Sequence, residues 1–300
     1  MLKAMPWRAF SCLLVLAVTA RADDLLPRVL QRLAEQAATF QRVAPDLVAQ
    51  EKLQQRALKS VKRHFSPHFT GSNNLPVAPE FQTREIVSEY GFATLDGGIR
   101  EFRKPVSVDE KDVPDRGQAL SRLAAGIRTG DESSKRSLLE DFEKLGLIGT
   151  VTDFGQLLLL FDARGQENYE FSVGETRLVG ADRVITINYR QTDGAPSLTV
   201  WREGKANRQR TSGEILVRAS DLLPVRITIA AVTGQGTRSI REEAEVDYNW
   251  SEFGALVPVS VIHREFHADR LTSENRFTYS TFRRFGSSSL IRFPDPGGLA

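Results

Sequence analysis

The chain has 300 residues, with 40 lysines and arginines against 38 aspartates and glutamates, and one cysteine. This near-neutral balance argues against a nucleic-acid-binding protein, which needs a strongly basic domain with clustered charge. With only Cys12 the chain cannot form an internal disulfide, and its length suits one large domain or two small ones.

The first residues predict an export signal. Lys3 and Arg8 precede an apolar run from Cys12 to Val18, and Ala20-Arg21-Ala22 follows as an A-x-A cleavage signature, the pattern of a secretory signal peptide. The run is too short to span a bilayer, which needs about 20 apolar residues. We therefore expect residues 1–22 to be removed, leaving a periplasmic or extracellular chain without cysteine or transmembrane segment. Its net charge would be −1, since 37 basic residues would remain against 38 acidic ones.

Residues 23–65 are predicted as an N-terminal helical region. Asp23 and Asp24 offer an N-cap and favourable charge at the start of a helix. Pro45 interrupts the pattern, so residues 46–63 form a second element, either a helix or an edge strand. The apolar residues that recur at helical spacing are Leu25, Leu26, Val29, Leu30, Leu33, Ala37 and Phe40.

Residues 66–150 are predicted as a hairpin and helices that are part of the main domain or packed on it. Residues 66–81 contain three prolines and indicate an irregular loop. Two strand-like segments, 81–95 and 99–108, are joined by Asp96-Gly97-Gly98, a strong hairpin signal. Residues 115–149 return to a helical pattern, with a second helix over about 133–145.

Residues 151–286 are predicted as an antiparallel sheet domain, followed by a flexible tail at 287–300. Short strand-like segments alternate with Gly, Asp, Asn or Pro, as in an antiparallel meander. The fold class is therefore α+β: a curved, half-barrel-like antiparallel β-sheet covered by a few helices. The predicted strands are 167–175, 183–191, 197–204, 213–220, 224–232, 241–250, 255–267 and 273–285.

Two pairs of histidines share a four-residue spacing: His64 with His68, and His263 with His267, the latter with Glu265 between them. Residues four apart on a strand lie about 13 Å apart at Cα, whereas a metal–nitrogen bond is about 2 Å long. We therefore expect no metal site, although His263 and His267 are the natural candidates.

The histidine segment is instead predicted as the polar end of a strand. Strand alternation puts His263, Glu265 and His267 on one face. The residues expected to share that face are Val257, Val259 and Val261. These side chains would then mark the place where an apolar sheet face gives way to its rim.

Three other charged or glycine-containing segments favour structural interpretations. The sequence TGQGTRS at 233–239 lacks the third glycine of a phosphate-binding loop and is expected to be a turn. The basic segment 201–210 is expected to be a charged hairpin rather than a surface for lipid or nucleic acid. The acidic residues Glu242, Glu243, Glu245 and Asp247 are expected on the solvated face of a strand.

The strands of residues 169–279 carry many apolar and aromatic residues, so one face of the sheet must be covered. Helices could fill that face, or they could leave a concavity for an acyl chain or another apolar ligand. The residues alone leave these two alternatives open.

Three segments resemble the LolA/LppX-like periplasmic lipoprotein-carrier superfamily. They are YEFSVGETRLVGADRVITINY at 169–189, GEILVRASDLLPVRITI at 213–229 and VDYNWSEFGALVPVSVI at 246–262. The resemblance covers residues 160–285. The whole chain also resembles exported proteins common in soil bacteria of the acidobacterial type, including SEYGFATL at 88–95 and FRKPVSVDEKDV at 102–113.

The carrier resemblance implies a curved half-barrel closed by helices, with an apolar cavity for lipid or lipoprotein acyl chains and no catalytic residues. We therefore predict an exported, non-enzymatic protein without a cofactor, with no assigned ligand-binding residue. One alternative is an envelope scaffold or protein-interaction module without a ligand. Another is an exported hydrolase that uses His263 and Glu265 with Arg283 from the next strand.

Overall fold

A computed structural model describes residues 24–59, 80–95, 98–113, 154–195, 198–202 and 205–284. The predicted signal peptide, His64, His68, the helices predicted within 115–149 and the predicted tail lie outside these ranges. No helix among the described residues is long and apolar enough to cross a membrane.

One α-helix and thirteen strands make up the regular structure of the described residues, together with four short 3₁₀ turns. The helix, α1, spans Leu25–Val43. The strands are β1 (Leu47–Leu58), β2 (Phe81–Leu95), β3 (Gly98–Val108), β4 (Lys111–Asp112), β5 (Tyr169–Val179), β6 (Asp182–Gln191), β7 (Leu198–Arg202), β8 (Lys205–Gln209), β9 (Thr211–Arg218), β10 (Pro224–Thr233), β11 (Ile240–Trp250), β12 (Leu256–His267) and β13 (Arg270–Arg284).

Eleven of the strands form a single sheet in the order β4-β3-β2-β1-β13-β12-β11-β10-β9-β6-β5. Every pairing in it is antiparallel. The antiparallel sheet is confirmed, but it is open and uncurled rather than half-barrel-like, and α1 is the one α-helix that the described residues contribute as a cover. Strands β7 and β8 pair separately as the hairpin expected at 201–210.

Helix α1 confirms the apolar pattern of its sequence. Val29, Leu33, Ala37 and Phe40 are all fully buried, because residues three and four apart lie on one face of a helix. Asp24 does not form the expected N-cap, because it has helical backbone angles and makes no side-chain cap hydrogen bond; Asp23 lies outside the described residues.

Strand β1 corrects the prediction for residues 46–63, which allowed a helix or an edge strand. It lies inside the sheet, between β13 and β2. Its side chains alternate strictly between a buried and a more exposed face. One of its partners, β13, is the last strand of the described residues, so the sheet pairs the first described strand with the last. No local sequence pattern encodes such a contact.

The predicted hairpin of β2 and β3 is confirmed, with Leu95 paired to Gly98 at its closed end. The turn expected at 233–239 is also confirmed, because it joins β10 to β11 through a 3₁₀ turn at Gly236–Arg238.

Candidate functional site

One face of the large sheet, called the core face below, carries the apolar side chains of the fold. Helix α1 and the 3₁₀ turn Leu157–Phe161 pack on this face. Phe40 of α1 meets Phe92 of β2 edge to face, with ring centroids 5.1 Å apart. Phe161 meets Tyr189 of β6 in the same way at 4.9 Å. Aromatic pairs in this geometry add stability beyond the area they bury.

The core face also holds a buried charge cluster formed by Glu51, Glu101 and Arg103. Arg103 donates through Nε to both carboxylate oxygens of Glu51, at 3.0 and 2.8 Å. Its Nη2 donates to Oε2 of Glu101 at 2.6 Å. All three side chains are at most 5% exposed. Because burying an unpaired charge is very costly, this cluster must stay hydrogen-bonded for the sheet to keep its packing.

Aromatic rings complete the surroundings of the cluster. The guanidinium carbon of Arg103 lies 5.2 Å from the ring centroid of Tyr90 and 5.4 Å from that of Phe277, within range of a cation–π attraction. Gly155 lies against the same cluster, because a Cβ at that position would approach the Tyr90 hydroxyl to 2.6 Å and Oε1 of Glu101 to 2.8 Å. Position 155 therefore requires glycine, because any Cβ would clash with the side chains of Tyr90 and Glu101.

Burial sets the protonation of these groups. Burial raises the pKa of Glu51, and the charge and hydrogen bonds of Arg103 offset only part of that effect. Burial by itself lowers the pKa of Arg103, but the charges of Glu51 and Glu101 outweigh it and the net shift is upward. Burial, together with nearby carboxylates, raises the pKa of Tyr90 and Tyr279 well above the usual range. Both phenols therefore stay protonated, which disfavours them as a base or nucleophile.

The signal for this cluster was present in the sequence but was missed. Alternation places Glu51 on the same face as Leu47, Ala49 and Leu53, and all four are buried. A charged residue in the middle of an apolar strand face indicates a buried ion pair, because an unpaired charge would not be tolerated there.

The structure places His263 on the core face, 2% exposed. Its ring packs against that of Phe154 at a tilt of 35°, with the ring centroids 4.9 Å apart, and its Nδ1 lies 3.3 Å from Nδ2 of Asn275. Gln55 donates to Oδ1 of Asn275 at 2.7 Å. His263 is thus one member of a buried polar row that crosses β12, β13 and β1.

Glu265 and His267 lie further along β12 and contact each other, with Nε2 of His267 2.7 Å from Oε1 of Glu265. His267 is exposed and Glu265 half-buried. The predicted single face is corrected at one point of β12. Asp247 pairs with Ser260 and Tyr248 with Pro258, so Val259 is an extra residue that interrupts the alternation, and it is half-exposed while Val257 and Val261 are buried.

No group of three or more histidine, cysteine or acidic side chains suited to a metal ion occurs among the described residues. The three residues of the hydrolase alternative, His263, Glu265 and Arg283, do not converge on one site either. Asn275 of β13 is the residue opposite His263, whereas Arg283 is exposed and opposite Val48 of β1. Eight strand positions separate Asn275 from Arg283, about 26 Å.

The acidic residues of β11 divide between its two faces. Glu243, Glu245 and Asp247 lie on the half-exposed face, where Arg241 contacts Glu243, and Arg226 contacts the other two. Glu242, however, is 8% exposed and lies on the core face. The expectation of a solvated acidic face therefore holds for three of the four residues and is wrong for Glu242.

Among the described residues, the opposite face of the sheet carries two open depressions whose linings mix charged, polar and apolar groups, with Ile262 and Phe277 at the smaller one. One of about 340 Å³ includes Lys52, Gln54 and Arg276 in its lining. The other, of about 510 Å³, includes Arg56, Arg84 and Glu85. Neither has the enclosed apolar lining typical of a site for an acyl chain.

Glu274, on the rim of the larger depression, predicts a pH effect. Partial burial raises the pKa of Glu274, but hydrogen bonds from Arg276 and Arg264 outweigh it, so the net shift is downward. A carboxyl with a lowered folded-state pKa stabilises the fold above its unfolded pKa, and this contribution is lost as the pH falls through the folded pKa. Wild type should therefore exceed Glu274→Gln in unfolding free energy by about 1 kcal/mol at neutral pH, and the difference should shrink toward zero below pH 4.5.

Urea unfolding followed by circular dichroism at a series of pH values measures this difference. Asp269→Asn is the control, because Asp269 is exposed and its ion pair with Arg241 is long, at 3.8 Å. A gap between wild type and Glu274→Gln that stays constant with pH would contradict the assignment.

No protein-family model matches this chain, and no curated protein sequence matches it. Two solved structures align over most of its length. An outer membrane lipoprotein-sorting protein domain from Vibrio parahaemolyticus is 11% identical, with 89% of this chain and 95% of that chain covered and a TM-score of 0.40. A DUF1329 family protein from Desulfovibrio piger is 9% identical, with 87% and 98% covered and a TM-score of 0.33. At these low values the likenesses carry no functional argument.

Proposed function

We propose that this chain is an exported, non-enzymatic protein that binds an apolar molecule, such as a lipid acyl chain, between the core face and the elements packed on it. The observation that supports this is the breadth of the apolar core face, whose buried side chains extend from Phe92 of β2 to Ile187 of β6. The 11-stranded sheet that carries them is about 50 Å across at the usual strand spacing.

The chemistry of the core face fits a passive binder. Arg103 donates hydrogen bonds to both Glu51 and Glu101, and the nearby phenols stay protonated. Along the rest of the face, Ile187, Ile215 and Ile227 are fully buried apolar side chains. Such a surface recognises apolar matter by area rather than by specific polar contacts.

A second candidate, a scaffold with a filled core, is favoured by a different observation. Leu33, Phe40, Leu158 and Phe161 are fully buried, so the elements on the core face pack closely where they meet it. In that case, side chains of the chain itself occupy the space that a ligand would take.

Extraction of detergent-free purified protein with organic solvent, followed by mass spectrometry, distinguishes the two candidates. The proposal expects acyl lipid at near-stoichiometric amounts, and it expects delipidated protein to bind a dansylated undecanoic acid with increased fluorescence. A protein that yields no lipid and does not bind the probe would be the scaffold instead.

A pair of tryptophan substitutions localises the ligand. Ala244 is 3% exposed and lies on the core face between Ile229 and His263. Ala244→Trp should weaken probe binding about tenfold or more by filling the space, whereas Ala230→Trp on the outer face of the neighbouring strand should not. If Ala244→Trp does not fold, Ala244→Leu replaces it, because leucine adds less volume at the same position. Equal probe affinity in folded core-face and outer-face variants would place the probe elsewhere.

A further inference from the structure

The two edges of the large sheet differ in a way that points to a partner. At one edge, β4 consists of Lys111 and Asp112 alone, both exposed and charged, a form of edge that resists pairing with another chain. At the other edge, β5 has 11 residues, and Val173, Leu178 and Val179 are 43%, 74% and 44% exposed. A long edge strand with exposed apolar side chains is a site for sheet extension.

A β-bulge in β5 decides which of its side chains share a face. Val173 and Thr176 are paired with β6 residues only two positions apart, so Gly174 and Glu175 together oppose a single residue. The extra residue shifts the two-residue alternation by one. Residues that are an odd number of positions apart across the bulge therefore lie on the same face, as Glu170 and Arg177 do.

This shift makes β5, the edge strand of the sheet that the described residues form, complementary to itself. When two copies of β5 run antiparallel about a two-fold axis between Val173 and Gly174, Glu170 of each copy lies opposite Arg177 of the other. Tyr169 lies opposite Leu178 in the same register. Without the bulge, the members of each of these pairs would point to opposite faces, and the backbone groups that point outward would not meet.

We propose that β5 is the interface of a homodimer in which the sheets of two copies join edge to edge about this axis. The dimer gains backbone hydrogen bonds along β5, two Glu170–Arg177 ion pairs and the burial of Val173 and Leu178. Like charges do not face each other in this register, since Ser172 lies opposite Glu175.

The ion pairs that Glu170 and Arg177 make within one copy do not prevent them from pairing across the dimer. Glu170 contacts Arg190 at 2.7 Å, with both side chains more than 60% exposed. Arg177 contacts Glu175 at 3.6 Å, also at the surface. Exposed ion pairs contribute little to stability, so rearranging them on dimerisation costs little.

Sedimentation velocity of the purified chain, from low micromolar to several hundred micromolar, tests the proposal. Wild type should show a concentration-dependent monomer–dimer equilibrium. Arg177→Glu places like charges opposite each other at two symmetric positions and should raise the dimer dissociation constant about tenfold or more. The charge-swapped double variant, Glu170→Arg with Arg177→Glu, restores opposite charges across the axis and should recover part of the lost affinity. The recovery should be incomplete, because Arg190 lies next to position 170 and repels the new arginine.

Arg283→Glu, an exposed change at the end of β13, is the matched control and should leave the dissociation constant unchanged. Thermal melting by circular dichroism should show all variants folded, since the altered side chains are exposed. A monomer at every concentration overturns the proposal, and so does a dimer that Arg177→Glu leaves intact.

Discussion

Arg103→Met is expected to lower the free energy of unfolding by about 3–5 kcal/mol. The substitution removes the cation to which Glu51 and Glu101 both hydrogen-bond, while both carboxylate side chains are at most 1% exposed. The penalty is the cost of leaving buried negative charge without that cation. Chemical denaturation of the purified variant, followed by circular dichroism, measures it.

Two controls separate the charge effect from lost packing. Arg100→Met changes an exposed arginine on the opposite face of the same strand and should cost no more than about 0.5 kcal/mol. The triple variant Glu51→Leu, Glu101→Leu and Arg103→Met replaces the whole cluster with apolar groups and should recover most of the stability, as buried ion pairs elsewhere do. If Arg103→Met were as stable as wild type, the cluster would not be holding β1 and β3 together.

Phe40→Ala is expected to destabilise the fold by about 3–5 kcal/mol, the usual cost of deleting a fully buried aromatic side chain. Phe40 is 0% exposed, and its ring meets Phe92 edge to face. The substitution removes the main aromatic contact between α1 and β2, leaving a cavity at the core face. Thermal and urea unfolding both report the loss.

Gln41→Ala, the next residue on the exposed face of α1, is the control for helix propensity and should have little effect. The variants Phe40→Ala and Gln41→Ala also test the proposed ligand binding. If α1 covers a bound acyl chain, Phe40→Ala should change probe affinity as well as stability, whereas Gln41→Ala should change neither. A loss of stability below about 1 kcal/mol for Phe40→Ala would mean that α1 is not anchored through this ring.

Most of the strands could be predicted because their signals are local. Alternating apolar residues bounded by turn formers mark β2, β3 and most of the strands from β5 to β13, and the hairpin at Asp96-Gly97-Gly98 follows from its turn residues. The same applies to α1, whose apolar residues repeat at helical spacing. Interactions within a few residues determine these patterns.

The candidate site was less accessible from the sequence, because its members come from distant parts of the chain. Glu51 and Arg103 are on β1 and β3, and the strand between them aligns the two. His263 was expected at a rim, and the structure instead surrounds it with Phe154 and Asn275. Which residues a buried polar group meets depends on strand order and register, and neither is a local property.

By itself, the sequence determined most of the secondary structure of the described residues and the antiparallel character of the sheet, since both depend on patterns within a few residues. The tertiary structure alone decided that β1 is an internal strand, that Arg103 is shared by two buried carboxylates and that a bulge places Glu170 and Arg177 on one face of β5. These features arise where segments far apart in the chain exclude water together, and the free energy of that burial selects one register from many that the local pattern allows.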